Sequence, residues 1–185
     1  HTIFPIGSNT KAFTAAALAI LVDQGPLHWD DLVVDKLPGF RMYDAYTSQH
    51  MTITDLLVHR SGLGLGEGDL MFLPSTTRTR AELVHAIRYL KPASGFRSGF
   101  AYDNVLYIVA GEVAAATGGA PYAQLLRREV FNPLGMNRCQ IGTWNRHAVG
   151  NVAQPHARRD GKNVVIGGDA PVVQATTMDA AGGVY

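Results

Sequence analysis

A continuous apolar segment between residues 12 and 22 constrains the fold of this chain more than any other feature. Its residues are mostly good helix formers, and the helix that they would make is apolar on every side. A helix without a polar face must be buried, and this one is too short to cross a bilayer. The segment therefore predicts the central helix of a globular domain.

Ser8 and Lys11 stand at the entrance to this segment. Residues three apart are neighbours on one helix face, so the Lys11 ammonium is expected beside the Ser8 hydroxyl. A lysine that is partly removed from water can accept the serine proton, and the positive end of the helix favours a developing alkoxide. The structural alternative is that Ser8 is only an N-cap and Lys11 only a surface charge.

Composition limits the classes of function that are open to the chain. Its 185 residues, 46% hydrophobic and 17% charged, suit one globular domain with a sizeable core. A net charge of +1 gives no electrostatic reason to expect nucleic acid or an anionic membrane as a partner. Cys139, the single cysteine, excludes an internal disulfide and Cys-x-x-Cys metal sites. No signal peptide or membrane segment is visible, but the abrupt start at His1 resembles a cut, so that absence carries little weight.

Local signals predict that residues 1–136 are mainly helical and that residues 137–185 form loops and short strands. The helix signals are two capping boxes at 52–55 and 79–82, an apolar run at 105–113 and a proline, Pro121, suited to a first helical turn. Glycines crowd residues 61–68 too densely for regular structure, which predicts a loop. Beyond residue 136 the helical period is lost, and β-prone residues recur at 163–166.

A second candidate motif is Tyr102-Asp103-Asn104, which lies between a loop and an apolar helix. Such a position lets side chains project into a cleft while the helix holds them in place. Beside Lys11, Tyr102 could serve as a general base or proton relay, and Asn104 could hold the lysine and orient an amide. The structural alternative is a core tyrosine followed by a residue that caps the helix.

Five ordered segments of the sequence resemble the motif pattern of the penicillin-recognising serine hydrolases, which is the β-lactamase and penicillin-binding family. The segments are Phe4-x-Ile6-Gly7-Ser8-x-Thr10-Lys11, residues 56–63 (Leu-Leu-Val-His-Arg-Ser-Gly-Leu), Tyr102-Asp103-Asn104, residues 133–136 (Pro-Leu-Gly-Met) and residues 181–185 (Ala-Gly-Gly-Val-Tyr). The most similar branch includes class C β-lactamases, D,D-carboxypeptidases, D-aminopeptidases and β-lactamase-like esterases. The resemblance covers essentially the whole chain and implies a β-lactamase/transpeptidase-like α/β (α+β) fold.

The resemblance also implies an activity, acyl transfer, and a role for each motif residue. Ser8 would be the nucleophile, Lys11 its proton acceptor, and Tyr102 the group that protonates the leaving atom and later activates water. Asn104 would bind the amide side chain of the substrate, and the Ser8 backbone amide would be one donor of the oxyanion hole. The expected substrate is a β-lactam or D-amino peptide, with a carboxylesterase as the first alternative and a penicillin-binding module without turnover as the second. The resemblance implies no cofactor or metal, and a periplasmic or secreted location.

Two departures from the family pattern affect these expectations. Asp103 stands where the family more often has a small residue, and its carboxylate would tend to hold Lys11 protonated. The family's third motif, Lys-Thr-Gly or His-x-Gly on a strand edge, is not found in the sequence. We therefore expect residues 1–185 to be one partial domain, mainly the helical part, with the N- and C-terminal segments of the sheet absent. Such a domain should self-associate or bind the missing segments, and its own catalysis should be weak.

The seven histidines offer no alternative site at the level of sequence. None stands in the His-x-x-x-His spacing of a zinc protease. His59 and His156 are expected to be structural, and His59 is expected to brace the wall of the cleft.

Overall fold

The computed structural model of the chain describes residues 1–73, 76–166, 172–174 and 177–185. The helices are α1 (Thr10–Asp23), α2 (Val33–Lys36), α3 (Ala45–His50), α4 (Ile53–Leu57), α5 (Arg80–Ala86), α6 (Val105–Gly118), α7 (Tyr122–Leu126), α8 (Arg146–Val149) and α9 (Asp179–Gly182). Short 3₁₀ turns cover Gly7–Asn9, Asp69–Met71 and Ile87–Tyr89, and a π-helical turn, Arg127–Phe131, continues α7.

Strands occupy little of the described chain, as the expected helical domain requires. They are β1 (Thr143–Asn145), β2 (His156–Arg159), β3 (Lys162–Val165) and β4 (Val172–Gln174). β1 pairs with β4 and β2 with β3, each pair being antiparallel, with Trp144 opposite Val173 and Ala157 opposite Val164. The β-prone residues at 163–166 thus lie largely in β3, while residues 167–171 and 175–176 of the predicted tail are outside the described residues.

The core forms where α1 and α6 pack together and α9 packs against both helices. α6 is apolar on nearly all sides, and its residues from Val105 to Gly111 are all buried. Gly111 permits this packing, since a Cβ there would lie 2.5 Å from the Ala180 Cβ. The contact brings α9 to the end of α1 that carries Lys11.

Both predicted capping boxes are confirmed. The Thr52 hydroxyl accepts a hydrogen bond from the Asp55 amide, and the Asp55 carboxylate accepts one from the Thr52 amide. Thr79 and Glu82 make the same reciprocal pair at the start of α5. Each pair satisfies two amide groups that the helix itself leaves without partners.

The structure corrects the prediction that α1 is buried on every side. Ala12 and Ala19 are exposed, whereas Leu18 and Leu21 are buried. An alanine presents less apolar area than a leucine, so its exposure to solvent costs less free energy. The tail also contains two helices that the sequence did not predict, α8 and α9. No helix in the described ranges combines the length and apolar character needed to span a membrane.

Candidate active site

Ser8 lies in the 3₁₀ turn that leads directly into α1. Gly7 adopts a φ of +52°, a conformation that disfavours residues with a Cβ, and the Ser8 side chain is exposed at this corner. Ile6 donates to the Val184 carbonyl at 3.1 Å, and the Val184 amide donates to the Thr10 hydroxyl at 3.1 Å. The turn is therefore fixed on both sides by the residues that follow α9.

Lys11 occupies the first turn of α1 with a side chain that points inward, and the residue is only 7% exposed. Its Nζ donates to the Asn104 Oδ1 at 2.7 Å and to the Ala181 carbonyl at 2.8 Å. The Ser8 Oγ lies 3.3 Å from the same nitrogen. The predicted proximity of Ser8 and Lys11 is thus present, and two groups distant in sequence hold the lysine there.

The partners of Lys11 differ in whether they can donate a hydrogen bond, and this difference matters for proton transfer. The Asn104 carbonyl oxygen and the Ala181 carbonyl can only accept hydrogen bonds, whereas a serine hydroxyl can donate or accept. A neutral amine has two N–H donors and one lone pair. With both donors directed at the two carbonyls, the lone pair is left to face the Ser8 hydroxyl, which is the geometry that a base requires.

Tyr102 approaches Ser8 from the opposite side. Its phenol donates to the Ser8 Oγ at 2.7 Å, and the Lys11 Nζ lies 4.8 Å from the centre of its ring. Ser8, Lys11 and Tyr102 therefore form one connected cluster, although 94 residues separate Ser8 from Tyr102.

His59 supports the tyrosine, as the sequence predicted for a structural residue. The two rings pack at 4.4 Å between centroids, and the His59 carbonyl accepts a hydrogen bond from the Ala101 amide at 2.9 Å. The His59 Nδ1 accepts from the Asp103 amide at 3.3 Å, which requires that nitrogen to be unprotonated. Burial, and secondarily the charge of Lys11, lower the pKa of His59, in agreement with a neutral ring. His156, by contrast, is exposed at the start of β2, and its Nδ1 lies 2.8 Å from the carbonyl of Gln154, two residues earlier in the chain.

Asn104 has partners at both ends of its side-chain amide. Its Oδ1 accepts from Lys11, and its Nδ2 lies 3.1 Å from each carboxylate oxygen of Asp69. The residue is 8% exposed. Its role in holding the lysine thus has a direct geometric basis, and the donor expected for the substrate is engaged by Asp69.

Asp103 does not bond to Lys11 but caps α6. Its Oδ1 accepts from the Leu106 amide at 3.1 Å, and the Ser61 hydroxyl lies 3.4 Å from its Oδ2. Burial raises the pKa of Asp103 to about 6, although these hydrogen bonds and the charge of Lys11 act in the opposite direction. These contacts agree with the alternative interpretation, in which Asp103 caps a helix.

Comparison with known proteins agrees with this arrangement of motifs. The family model named Beta-lactamase matches residues 1–185. The chain belongs to the β-lactamase family. This match confirms, at the level of family, the resemblance seen in the sequence, and the similar proteins include a D-alanyl-D-alanine-carboxypeptidase/endopeptidase from Escherichia coli.

Three similar proteins illustrate the breadth of the β-lactamase family. An unguisins hydrolase from Aspergillus campestris is 30% identical over 158 residues, which are 80% of this chain and 29% of that protein. The octameric penicillin-binding protein homologue from Pyrococcus abyssi is 26% identical, with a TM-score of 0.76 over 99% of this chain and 42% of that one. The D-amino acid amidase from Ochrobactrum anthropi SV3 is 26% identical, with a TM-score of 0.71 over 99% of this chain and 51% of that one. The chain spans between about a quarter and about a third of the length of the first curated relatives that it matches.

Two groups in this β-lactamase-family site were not singled out by sequence reasoning. Ala181 contributes only a backbone carbonyl. It lies in the segment at 181–185, to which the family resemblance assigned no chemical role. Asp69 follows the glycine-rich run and belongs to no motif that was recognised. The regular alternation of glycine at 62, 64, 66 and 68 was the one local signal near it.

Proposed function

We propose that this chain carries the acylating centre of a serine acyl hydrolase that cleaves β-lactam or D-amino peptide amide bonds through Ser8. The proposal rests on one observation: the Ser8 Oγ lies within 3.3 Å of the Lys11 Nζ and 2.7 Å of the Tyr102 phenol. Membership of the β-lactamase family and similarity to a D-amino acid amidase support an amide as the scissile bond.

The proposed reaction has two stages. In the first, the Ser8 Oγ attacks the carbonyl carbon while its proton passes to Lys11, and Tyr102 protonates the nitrogen that leaves, so that an ester to Ser8 remains. In the second, Tyr102 takes a proton from the water that attacks this ester, the acid is released, and Lys11 returns its proton to Ser8.

The Ser8 backbone amide is proposed as one donor to the oxyanion. The hydrogen bonds of the 3₁₀ turn are donated by the amides of Asn9 and Thr10, so the Ser8 amide takes no part in that ladder. An amide donor of this kind typically contributes about 10²- to 10³-fold to the rate.

A carboxylesterase is the second candidate, and one contact favours it. The preference for an amide substrate assumed that Asn104 recognises it, but the Asn104 Nδ2 is directed at Asp69. An ester needs no such recognition, and its leaving group needs less protonation.

Self-association is part of the same proposal. The similar protein from Pyrococcus abyssi is octameric, and this chain exposes several large apolar side chains, among them Phe4 and Leu134.

Intact-mass measurement tests the assignment of Ser8. The protein is incubated separately with a penicillin and with an alkylphosphonate, and its mass is followed over time. We expect one adduct per chain from the phosphonate, none in Ser8→Ala, and a melting temperature close to that of the wild type, because Ser8 is exposed. A phosphonate adduct on Ser8→Ala would place the nucleophile elsewhere and overturn the proposal.

The time course separates the candidate activities. A penicillin adduct that forms and then disappears indicates a β-lactam hydrolase. Turnover of an ester without any penicillin adduct indicates the carboxylesterase. An adduct that persists indicates a binding module without turnover.

A further inference from the structure

The carboxylate of Asp69 makes a contact that the proposed reaction does not use. Both of its oxygens lie 3.1 Å from the Asn104 Nδ2, and the Oδ1 of the same amide accepts from Lys11 at 2.7 Å. One asparagine side chain thus connects an anion on one side with a cation on the other.

This connection admits only one orientation of the asparagine amide. The Asp69 carboxylate can only accept, and the Lys11 ammonium can only donate. If the amide were rotated by 180°, its NH₂ group would face the Lys11 donors and its oxygen would face the Asp69 oxygens. Asp69 therefore favours the rotamer in which the carbonyl oxygen faces Lys11.

The loop at 64–71 is built to hold Asp69 in this place. The Gly66 amide donates to the Tyr102 carbonyl at 2.8 Å, which ties the loop to the second motif. Gly68 has a φ of +85°, and a Cβ there would lie 2.8 Å from the Val105 Cγ1 and 2.9 Å from the Leu90 Cδ1. Val105 is the residue after Asn104, so the loop packs against the same helix start that carries the asparagine.

From these contacts we propose that Asp69 is a positioning residue that orients Lys11 through Asn104. The inference rests on the proposed function, since it concerns the lysine that receives the Ser8 proton. Asp69 fixes the carbonyl that occupies one donor of Lys11. The other groups that face Lys11 are Ser8, the rings of Tyr102 and Tyr107, the Ala181 carbonyl, and the more distant Asp103 and His59.

Two variants separate the geometric effect of Asp69 from its charge. Asp69→Asn keeps an acceptor oxygen but removes the charge, whereas Asp69→Ala removes both. Glu67→Gln is the matched control, because it removes a carboxylate from the same loop two residues away. Melting temperatures establish that each variant is folded.

The first measurement is the rate at which an alkylphosphonate labels Ser8 as a function of pH. We expect Asp69→Ala to be slower by about tenfold or more, since a displaced catalytic group commonly costs that much. Asp69→Asn should retain more of the rate, because its side-chain oxygen can still accept from the Asn104 amide. Glu67→Gln should behave like the wild type.

The second measurement observes Lys11 directly and does not depend on activity. The chain has four lysines, at 11, 36, 91 and 162, so ¹³Cε-labelled lysine gives a simple NMR spectrum in which Lys11→Arg assigns the signal. At a fixed pH, the Lys11 ¹³Cε signal should move in Asp69→Ala, where the Asn104 carbonyl loses its orientation, and should keep its wild-type position in Glu67→Gln.

The two measurements distinguish failure of this inference from failure of the proposed function. If Ser8 is not labelled but the Lys11 signal moves in Asp69→Ala, the proposed function fails and the contact role stands. If Ser8 is labelled while the Lys11 signal has the same position in Asp69→Ala and the wild type, the inference is overturned, even if Asp69→Ala is slow, because the residue then only supports the loop.

Discussion

At the residue scale, the phenol group of Tyr102 can be tested separately from its ring. Its ring is held independently of its phenol, by packing against His59 and by the nearby Lys11. Removal of the phenol therefore deletes the hydrogen bond to Ser8 without removing the support of the ring.

We predict that Tyr102→Phe folds normally but that its turnover falls by about 10²-fold or more, which is the usual effect of losing a general acid or base. Amide and lactam substrates should lose more than activated esters, whose leaving groups need no proton. Steady-state kinetics on one lactam and one activated ester measure this difference. Equal losses on both substrates would show that Tyr102 only shapes the cleft.

At the scale of elements, α9 contributes more to the site than its length suggests. The carbonyls of Ala180 and Ala181 accept hydrogen bonds from Thr14 and Lys11, so this single turn fixes two side chains of α1. Its first residue, Asp179, has a side chain that is 4% exposed and lies 3.5 Å from the Arg80 Nη1. Burial raises the pKa of Asp179 to about 7, with the charge of Arg80 acting in the opposite direction.

This shift predicts that Asp179 makes the fold less stable as the pH rises. The unfolded carboxyl titrates near its ordinary value of 3.8, so between about pH 4 and pH 7 the folded state binds the proton that the unfolded state has lost. The stabilising contribution is complete below the unfolded value and is lost as the pH passes about 7. Asp103 acts in the same direction, and His59, whose pKa is lowered, acts in the opposite one.

Comparison of Asp179→Asn with the wild type isolates the contribution of this carboxyl. The free energy of unfolding of the variant, relative to the wild type, should increase by on the order of 2 kcal/mol from pH 5 to pH 7, because one pKa unit corresponds to about 1.4 kcal/mol. Urea unfolding at each pH measures it. Asp160→Asn, at an exposed turn, is the control and should show no such trend. A difference that does not vary with pH would mean that Asp179 is ionised in the folded state.

At the scale of the whole molecule, the outer face of α1 gives a reason to expect self-association. Ala12 and Ala19 are exposed two turns apart on this helix, and Phe4, close before it in sequence, is 60% exposed. Apolar surface of this kind favours contact between copies of a chain. We predict that light scattering across a range of concentrations finds species larger than one chain.

The substitution Ala19→Glu should increase the fraction of single chains, since it places a charge on the exposed face of α1 and Glu is also a good helix former. Ala116→Glu is the matched control, because Ala116 is an exposed alanine on the other long helix, α6. A single-chain mass at every concentration would contradict the prediction, and equal effects of the two variants would show that another surface is responsible.

The sequence by itself determined the features that depend on near neighbours in the chain. The spacing of Ser8 and Lys11 predicted their contact because three residues make nearly one helical turn, and both capping boxes were predicted because their partners are also three residues apart. The apolar run at 105–113 predicted α6 for the same reason. The ordered motifs added the family, which comparison confirmed.

Only the tertiary structure decided the contacts between distant residues. The Ala181 carbonyl is 170 residues from the lysine that donates to it, and Asp69 meets Asn104 across 35 residues. No periodic pattern in the sequence predicts such pairs, since they arise when α9 and the loop at 64–71 pack onto helices that form elsewhere in the chain. The exposed side of α1 was decided in the same way: an alanine is compatible with the core or with solvent, and the neighbours that pack around the helix determine which of the two it meets.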